Sequence, residues 1–387
     1  MRNLTAPTVN DALAPHVGSD NIPGLTWSVR DRDQALTGAL GHRDLAGAEP
    51  VRTDTIFRIA SMTKPVTALV ALMLVDDHAI SLTDPVDPYL PELADRRVLR
   101  HPHAELEDTV PADRPITMLD LLTNTCGWGM DFTDFSPTPL GAAWAERGAA
   151  PGPPAPAGAL PTDEWLAAAS DLPLQAQPGQ RWLYNTSSVV LGMLIERVAG
   201  ARLGEVMAER IFAPLGMTDT GFHVPPESMS RFGACFAVGT DVYDPADGQW
   251  AARPPADGGD AGLVSTASDY ARFTDLVRSG GAVGDQRVVS NDLVRAMTTN
   301  QLDAEVLARG GPAADGGSGW GYGCGVLTRP APSGLSAGSH GWDGGLGSRW
   351  FTDPVTDRTG ILLTNRMWTS PEPPEAFRAF EELLGSS

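Results

Sequence analysis

Strand patterns lie at both ends of this 387-residue chain and helical patterns fill the middle, an order that restricts the fold more than any single motif does. Pro23 to Asp31 alternates as a strand, a turn follows near Asp33, and Ala35 to Gly41 returns as a second strand. Three further strand-like runs come late, at Trp320 to Leu327, Ser348 to Thr352 and Gly360 to Thr364, before a helix from Pro374 to Leu384. Between these ends, Ile116 to Thr123 reads as a short helix with its leucines inward and Asp120 outward. Val189 to Ala199 is a periodic helix stopped by Gly200, and Ala267 to Arg278 should bury Tyr270, Phe273, Leu276 and Val277. Such an order implies an α/β fold: a sheet domain built from residues 1–60 and 255–387, and a mostly helical domain at 61–254.

Between Trp128 and Gln180 the composition shifts to proline, glycine, alanine and tryptophan, and Ala149 to Pro161 is too low in complexity to pack by itself. Trp128, Phe132, Phe135, Trp144 and Trp165 either make this insert a flap over an apolar pocket or anchor a surface loop in the core. The chain has 28 basic and 48 acidic residues, a net charge of -20, which opposes nucleic acid and anionic lipid and leaves small or neutral molecules as partners. The N-terminus lacks the apolar centre of a signal peptide, and no stretch approaches the roughly 20 apolar residues of a membrane span, so a cytoplasmic protein without membrane contact is expected. Cys126, Cys235 and Cys324 are widely spaced and read as buried thiols. His101-Pro102-His103, followed by Glu105, Glu107 and Asp108, reads as a polar loop, and neither a metal nor another cofactor is expected.

Lys64 is the only lysine, while the other 27 basic residues are arginine. Arginine stays charged, whereas a lysine amine can lose its proton when buried or placed among other cations, and only the neutral amine is a base. Lys64 follows Ser61 by three residues, a spacing that puts both on one helical face. The apolar positions Val66, Leu69, Val70, Met73 and Leu74 would fix that helix in a core, and Pro65 fits only its first turn. Ser61 then lies near the positive end of the helix dipole. Taken alone, the same spacing also describes a capping serine followed by a solvated lysine.

Further landmarks stand in order along the chain: Phe57-Arg58-Ile59-Ala60-Ser61-Met62-Thr63-Lys64, Leu121-Leu122-Thr123-Asn124-Thr125-Cys126-Gly127, Pro178-Gly179 with Trp182 and Tyr184, Pro214-Leu215-Gly216-Met217, Gly262-Leu263-Val264-Ser265-Thr266, and Asp353-Pro354. In this company the chain resembles the serine β-lactamase and penicillin-binding-protein-like superfamily, in its class C-like branch, closest to the family VIII carboxylesterases. The resemblance covers roughly Pro23 to Asn365 and implies a β-lactamase/transpeptidase-like fold with an antiparallel sheet flanked by helices.

By position the resemblance makes Ser61 the nucleophile, Lys64 its base and Tyr184 the proton shuttle. The backbone N–H groups of Ser61 and Gly345 would form the oxyanion hole. Trp342, Asp343, Gly344 and Thr186 would contact substrate. Trp342 stands where penicillin-recognising relatives carry lysine or histidine, and it is similar to the esterase branch; His340, two residues earlier, is the other residue that could face the same side. Asparagine is displaced from position 186 to Asn185, and Asn124 and Cys126 replace a common histidine and serine as structural substitutions. The implied activity is hydrolysis of small esters through an acyl-enzyme, with acyl transfer, amide or β-lactam hydrolysis, or a non-catalytic binding role as alternatives. Gly334-Leu335-Ser336-Ala337-Gly338 also matches a nucleophile elbow, but the residues that follow are strand-like, which favours a turn.

Overall fold

A computed structural model describes residues 4–18, 21–312, 317–370 and 372–385. Among these, seven strands form one antiparallel sheet: β1 (Gly24–Asp31), β2 (Gln34–Gly41), β3 (Ser318–Trp320), β4 (Gly325–Leu327), β5 (His340–Gly344), β6 (Ser348–Asp353) and β7 (Arg358–Thr364). Their spatial order is β3-β4-β5-β6-β7-β1-β2, so β1 pairs with β7 from the far end of the chain, Leu25 facing Thr364. Every residue of β6 and β7 is buried, as expected of strands covered on both faces.

Helices α1 (Ala6–Leu13), α2 (Thr63–Asp76), α3 (Met118–Leu122), α4 (Thr186–Ala199), α5 (Ala267–Arg278) and α6 (Glu375–Gly385) frame the molecule, and α1, α5 and α6 pack on the sheet. On one face, Val9 and Leu13 of α1 and Phe377, Phe380 and Leu384 of α6 pack with Leu25, Trp27, Val29 and Leu362. On the other, Tyr270 and Phe273 of α5 meet Trp350 of β6 edge-on. The four α5 residues expected inside are buried.

Helix α2 departs from the one-sided face the pattern predicts: every residue from Thr63 to Leu74 is buried. A helix apolar on all sides belongs at a domain centre, and α2 packs against α4 there. Asp120 is inside rather than outside. Its carboxylate closes a capping box with Thr117 and accepts from Arg114, partners that remove the cost of burying it. The run from Trp320 to Leu327 is two strands rather than one, divided at Gly321 to Cys324, where Gly323 has a φ of +79°. The aromatic insert divides between its two readings. Trp128, Trp144 and Trp165 are buried in the main core, whereas Phe132 tilts against Tyr184 with ring centroids 5.1 Å apart.

Candidate active site

The segment before Ser61 is tied on several sides. Phe57 and Arg58 pair with Val264 and Ser265, and the Ile59 N–H donates to the Leu263 carbonyl at 3.0 Å. Arg58 is buried with Asp244 and also donates to the carbonyls of Gly233 and Pro245. Ser348 Oγ donates to the Ile59 carbonyl at 2.8 Å, and the Tyr270 hydroxyl to the Met62 carbonyl at 2.9 Å. Ala60 takes a φ of +43°, a conformation side chains avoid, and the chain enters α2 through a tight turn at Ala60–Met62. Ser61 stands at that junction.

Lys64 is 1% exposed. Its Nζ lies 3.0 Å from Ser61 Oγ, 2.7 Å from Asn185 Oδ1 and 2.8 Å from the Asp260 carbonyl oxygen. The last two partners can only accept. A neutral amine directing its two N–H bonds at them has one position left for its lone pair, toward the Ser61 hydroxyl, the one partner able to donate. In its neutral form such an amine is placed to accept the Ser61 hydroxyl proton; in its charged form it donates to all three oxygens.

Tyr184 lies over this amine, its ring centroid 4.5 Å from Nζ. It is held by paired backbone hydrogen bonds to Met130, both 2.8 Å, and by an aromatic cage of Phe132, Trp182, Trp320 and Trp342. Trp342 Nε1 donates to the Tyr184 hydroxyl oxygen at 2.7 Å. An indole N–H cannot accept, so the phenolic proton is left free to be given elsewhere. Trp342 thus makes a polar contact as well as a wall.

Ser61, Tyr184, Trp342, Asp343 and Gly345 line one cavity of about 840 Å³, in the range of small-molecule sites. Asn185, Phe132, Pro153 and Trp368 line it too, which brings the proline-rich insert to the site. Gly344 and Thr186 are not among its lining residues. Gly344 lies where β5 crosses the segment before Ser61: a Cβ there would stand 2.2 Å from the Ile59 carbonyl oxygen. Thr186 is the buried first residue of α4, its N–H directed at the Tyr184 carbonyl. The Asp343 carboxylate is engaged by Arg349, whose guanidinium also donates to Glu381 at 2.7 Å. Among the described residues, the one guanidinium on the cavity wall is thereby matched by two carboxylates.

His340 packs edge-on to Trp350, and burial pushes its imidazole down to about 4, so it is uncharged near neutral pH. Ser336 sits in a turn, its N–H donating to Asp353, and the chain continues into β5 rather than a helix. His103 pairs with Asp134 at 2.8 Å on the surface. The three cysteines are free and buried. No described helix is long and apolar enough to cross a membrane.

Two residues at the site escaped the sequence reading. Asn185 precedes α4 with φ +86° and ψ −59°, close to the strained γ-turn conformation, and its displacement from position 186 is the available signal. Asp260 lies in a glycine-rich stretch with no pattern to mark it.

A family profile described as Beta-lactamase matches residues 9–383. Protein Rv1367c of Mycobacterium tuberculosis is 35% identical, the match covering 88% of this chain and 85% of that protein. Esterase EstB of Burkholderia gladioli is 30% identical, over 84% of this chain and 81% of its own length. Among solved structures, EstCE1, a hydrolase with promiscuous acyltransferase activity, superposes with a TM-score of 0.78 at 21% identity, over 98% of both chains.

Proposed function

Because the chain belongs to the beta-lactamase family, we propose that it is a serine hydrolase cleaving carboxylic esters through an acyl-enzyme on Ser61. The observation that carries this reading is the Lys64 amine, buried and left with Ser61 as the one proton donor for its lone pair. Lys64 takes the Ser61 proton as Oγ attacks the ester carbonyl. The N–H groups of Ser61 and Gly345 hold the resulting oxyanion, Tyr184 protonates the leaving alcohol, and a water reverses the path to release the acid. The name of Esterase EstB supports esters as the substrate class.

Trp342 favours esters over penicillin-type substrates. It stands in place of a cationic side chain, and the nearby Arg349 is already matched by Asp343 and Glu381, so among the described residues of the cavity wall a substrate carboxylate meets no open guanidinium. With p-nitrophenyl butyrate assayed beside a chromogenic cephalosporin, ester turnover is expected to be the faster; cephalosporin turnover far exceeding it would sink the assignment. A fluorophosphonate should add its mass to Ser61. Trp342→Phe keeps an aromatic wall but removes the N–H to Tyr184, and loss of one such hydrogen bond should lower kcat by about two- to tenfold. An unchanged kcat would return Trp342 to a packing role alone.

Acyl transfer is the second reading. A cavity of about 840 Å³ has room for an acceptor alcohol beside the acyl group, and added alcohol would then divert product from acid to ester. The three buried free thiols suit a reducing compartment, and we place the protein in the cytoplasm.

A further inference from the structure

We propose that Asp260 is a positioning residue that determines which way the Lys64 lone pair points. The inference rests on the reading of Ser61 as nucleophile and Lys64 as base. Asp260 meets the site twice. Its carbonyl oxygen accepts from Lys64 Nζ at 2.8 Å, and its carboxylate Oδ2 accepts from Asn185 Nδ2 at 2.8 Å. An ionised carboxylate has no proton to give, so the amide of Asn185 must turn its NH2 toward Asp260 and its oxygen toward Lys64. With that orientation, both neighbours of the amine other than Ser61 are acceptors.

The opposite orientation has a specific chemical consequence. Were the Asn185 amide reversed, its NH2 would face the amine, which would then answer with its lone pair. That lone pair is the one needed for the Ser61 proton. Asp260 excludes this arrangement without touching Ser61 or the substrate.

The backbone supports the same reading. Asn185 has φ +86° and ψ −59°, with the Thr186 N–H returning to the Tyr184 carbonyl at 3.3 Å. Such a tight reversal is costly for any residue but glycine. Its effect here is to bring the amide between Lys64 and Asp260, with the helix α4 starting directly after. Gly259, next to Asp260, packs against Ser188 and Gly192 of α4: a Cβ at Gly259 would stand 2.7 Å from the Ser188 carbonyl oxygen. Asp260 and Asn185 are thus held in register by close packing of their two segments.

The test compares Asp260→Asn with Asp260→Ala. Both remove the negative charge, so any displacement of the pH profile through lost charge is common to the two. Only the asparagine keeps an oxygen that can accept from Asn185. Asp260→Asn is expected to retain kcat within about threefold, whereas Asp260→Ala should lose roughly 10- to 100-fold in kcat with little change in KM, the scale of a misdirected catalytic group. Equal kcat values in the two variants would overturn the proposal. Should Asp260→Ala melt below the assay temperature, Asn185→Gly serves instead. It removes the amide while relieving the positive φ, and is expected to keep Tm and lose kcat to the same degree; full activity would overturn the proposal. Fluorophosphonate labelling of the wild-type protein separates the two levels of argument. Absence of a Ser61 adduct removes the underlying nucleophile assignment, whereas normal wild-type labelling with equal variants removes only the role of Asp260.

Discussion

Lys64→Arg is expected to abolish ester turnover as completely as Lys64→Ala does, by roughly 10³-fold or more. The exchange preserves charge, and on the surface it would pass for conservative. At this position it replaces a titratable amine by a guanidinium that stays protonated at any working pH and offers five donors and no acceptor. The space is also wrong. Nζ is enclosed by Ser61 Oγ, Asn185 Oδ1 and the Asp260 carbonyl within 3.0 Å, and the planar fork of arginine needs more room than this point of contact gives. Single-turnover kinetics read the result directly, because acylation of Ser61 is the step that fails. A Lys64→Arg protein with wild-type acylation would contradict the assignment of the base.

Gly344→Ala is expected to be nearly as damaging, for a reason of space rather than of chemistry. The added methyl would fall 2.2 Å from the Ile59 carbonyl oxygen and 2.1 Å from Ser348 Oγ, and the first of these is backbone that cannot swing aside. β5 must therefore move away from the segment carrying Ser61. Overpacking of this kind costs about 1–3 kcal/mol of stability. The larger consequence is for catalysis: Gly345 follows directly, and a shift of about 1 Å between the two oxyanion N–H groups should lower kcat roughly 100-fold. Thermal unfolding and kcat measured on the same preparation separate the two effects. A variant with reduced Tm and unchanged kcat would show that β5 does not set the oxyanion geometry.

The parts of this molecule that were legible in the sequence are those written in local spacing. Ser61 and Lys64 are three residues apart, Ser61 in the tight turn that leads into α2 and Lys64 in its first turn, and their side-chain atoms meet at 3.0 Å. The strands at the two ends carry alternation or apolar runs, and they form the sheet. Contacts made across distance left weaker traces. Nothing in the composition around Asp260 says that its carboxylate meets Asn185, since the two come together only when α4 packs against the Gly259 turn. The pattern puts Asp120 outside because a carboxylate on a short helix is ordinarily solvated, whereas here it is buried while the exposed Arg114 and the half-buried Thr117 supply its hydrogen bonds. The sequence marks Gly344 as a substrate contact because it stands in the run Trp342-Asp343-Gly344-Gly345, whose other members line the cavity. Its own requirement is the close crossing of two backbones.

The pairing of β1 with β7 has a bearing on how the protein is made. A ribosome releases β1 long before β7, so the sheet cannot close between them until β7 has emerged. The segment carrying Ser61 emerges well before Ser348, which ties the Ile59 carbonyl, and before Gly345. The Gly24 N–H also waits for Asn365, whose side chain accepts from it at 2.9 Å. A growing chain therefore carries Ser61 and Lys64 for hundreds of residues before β5 and β6 emerge to close the cavity around Ser61.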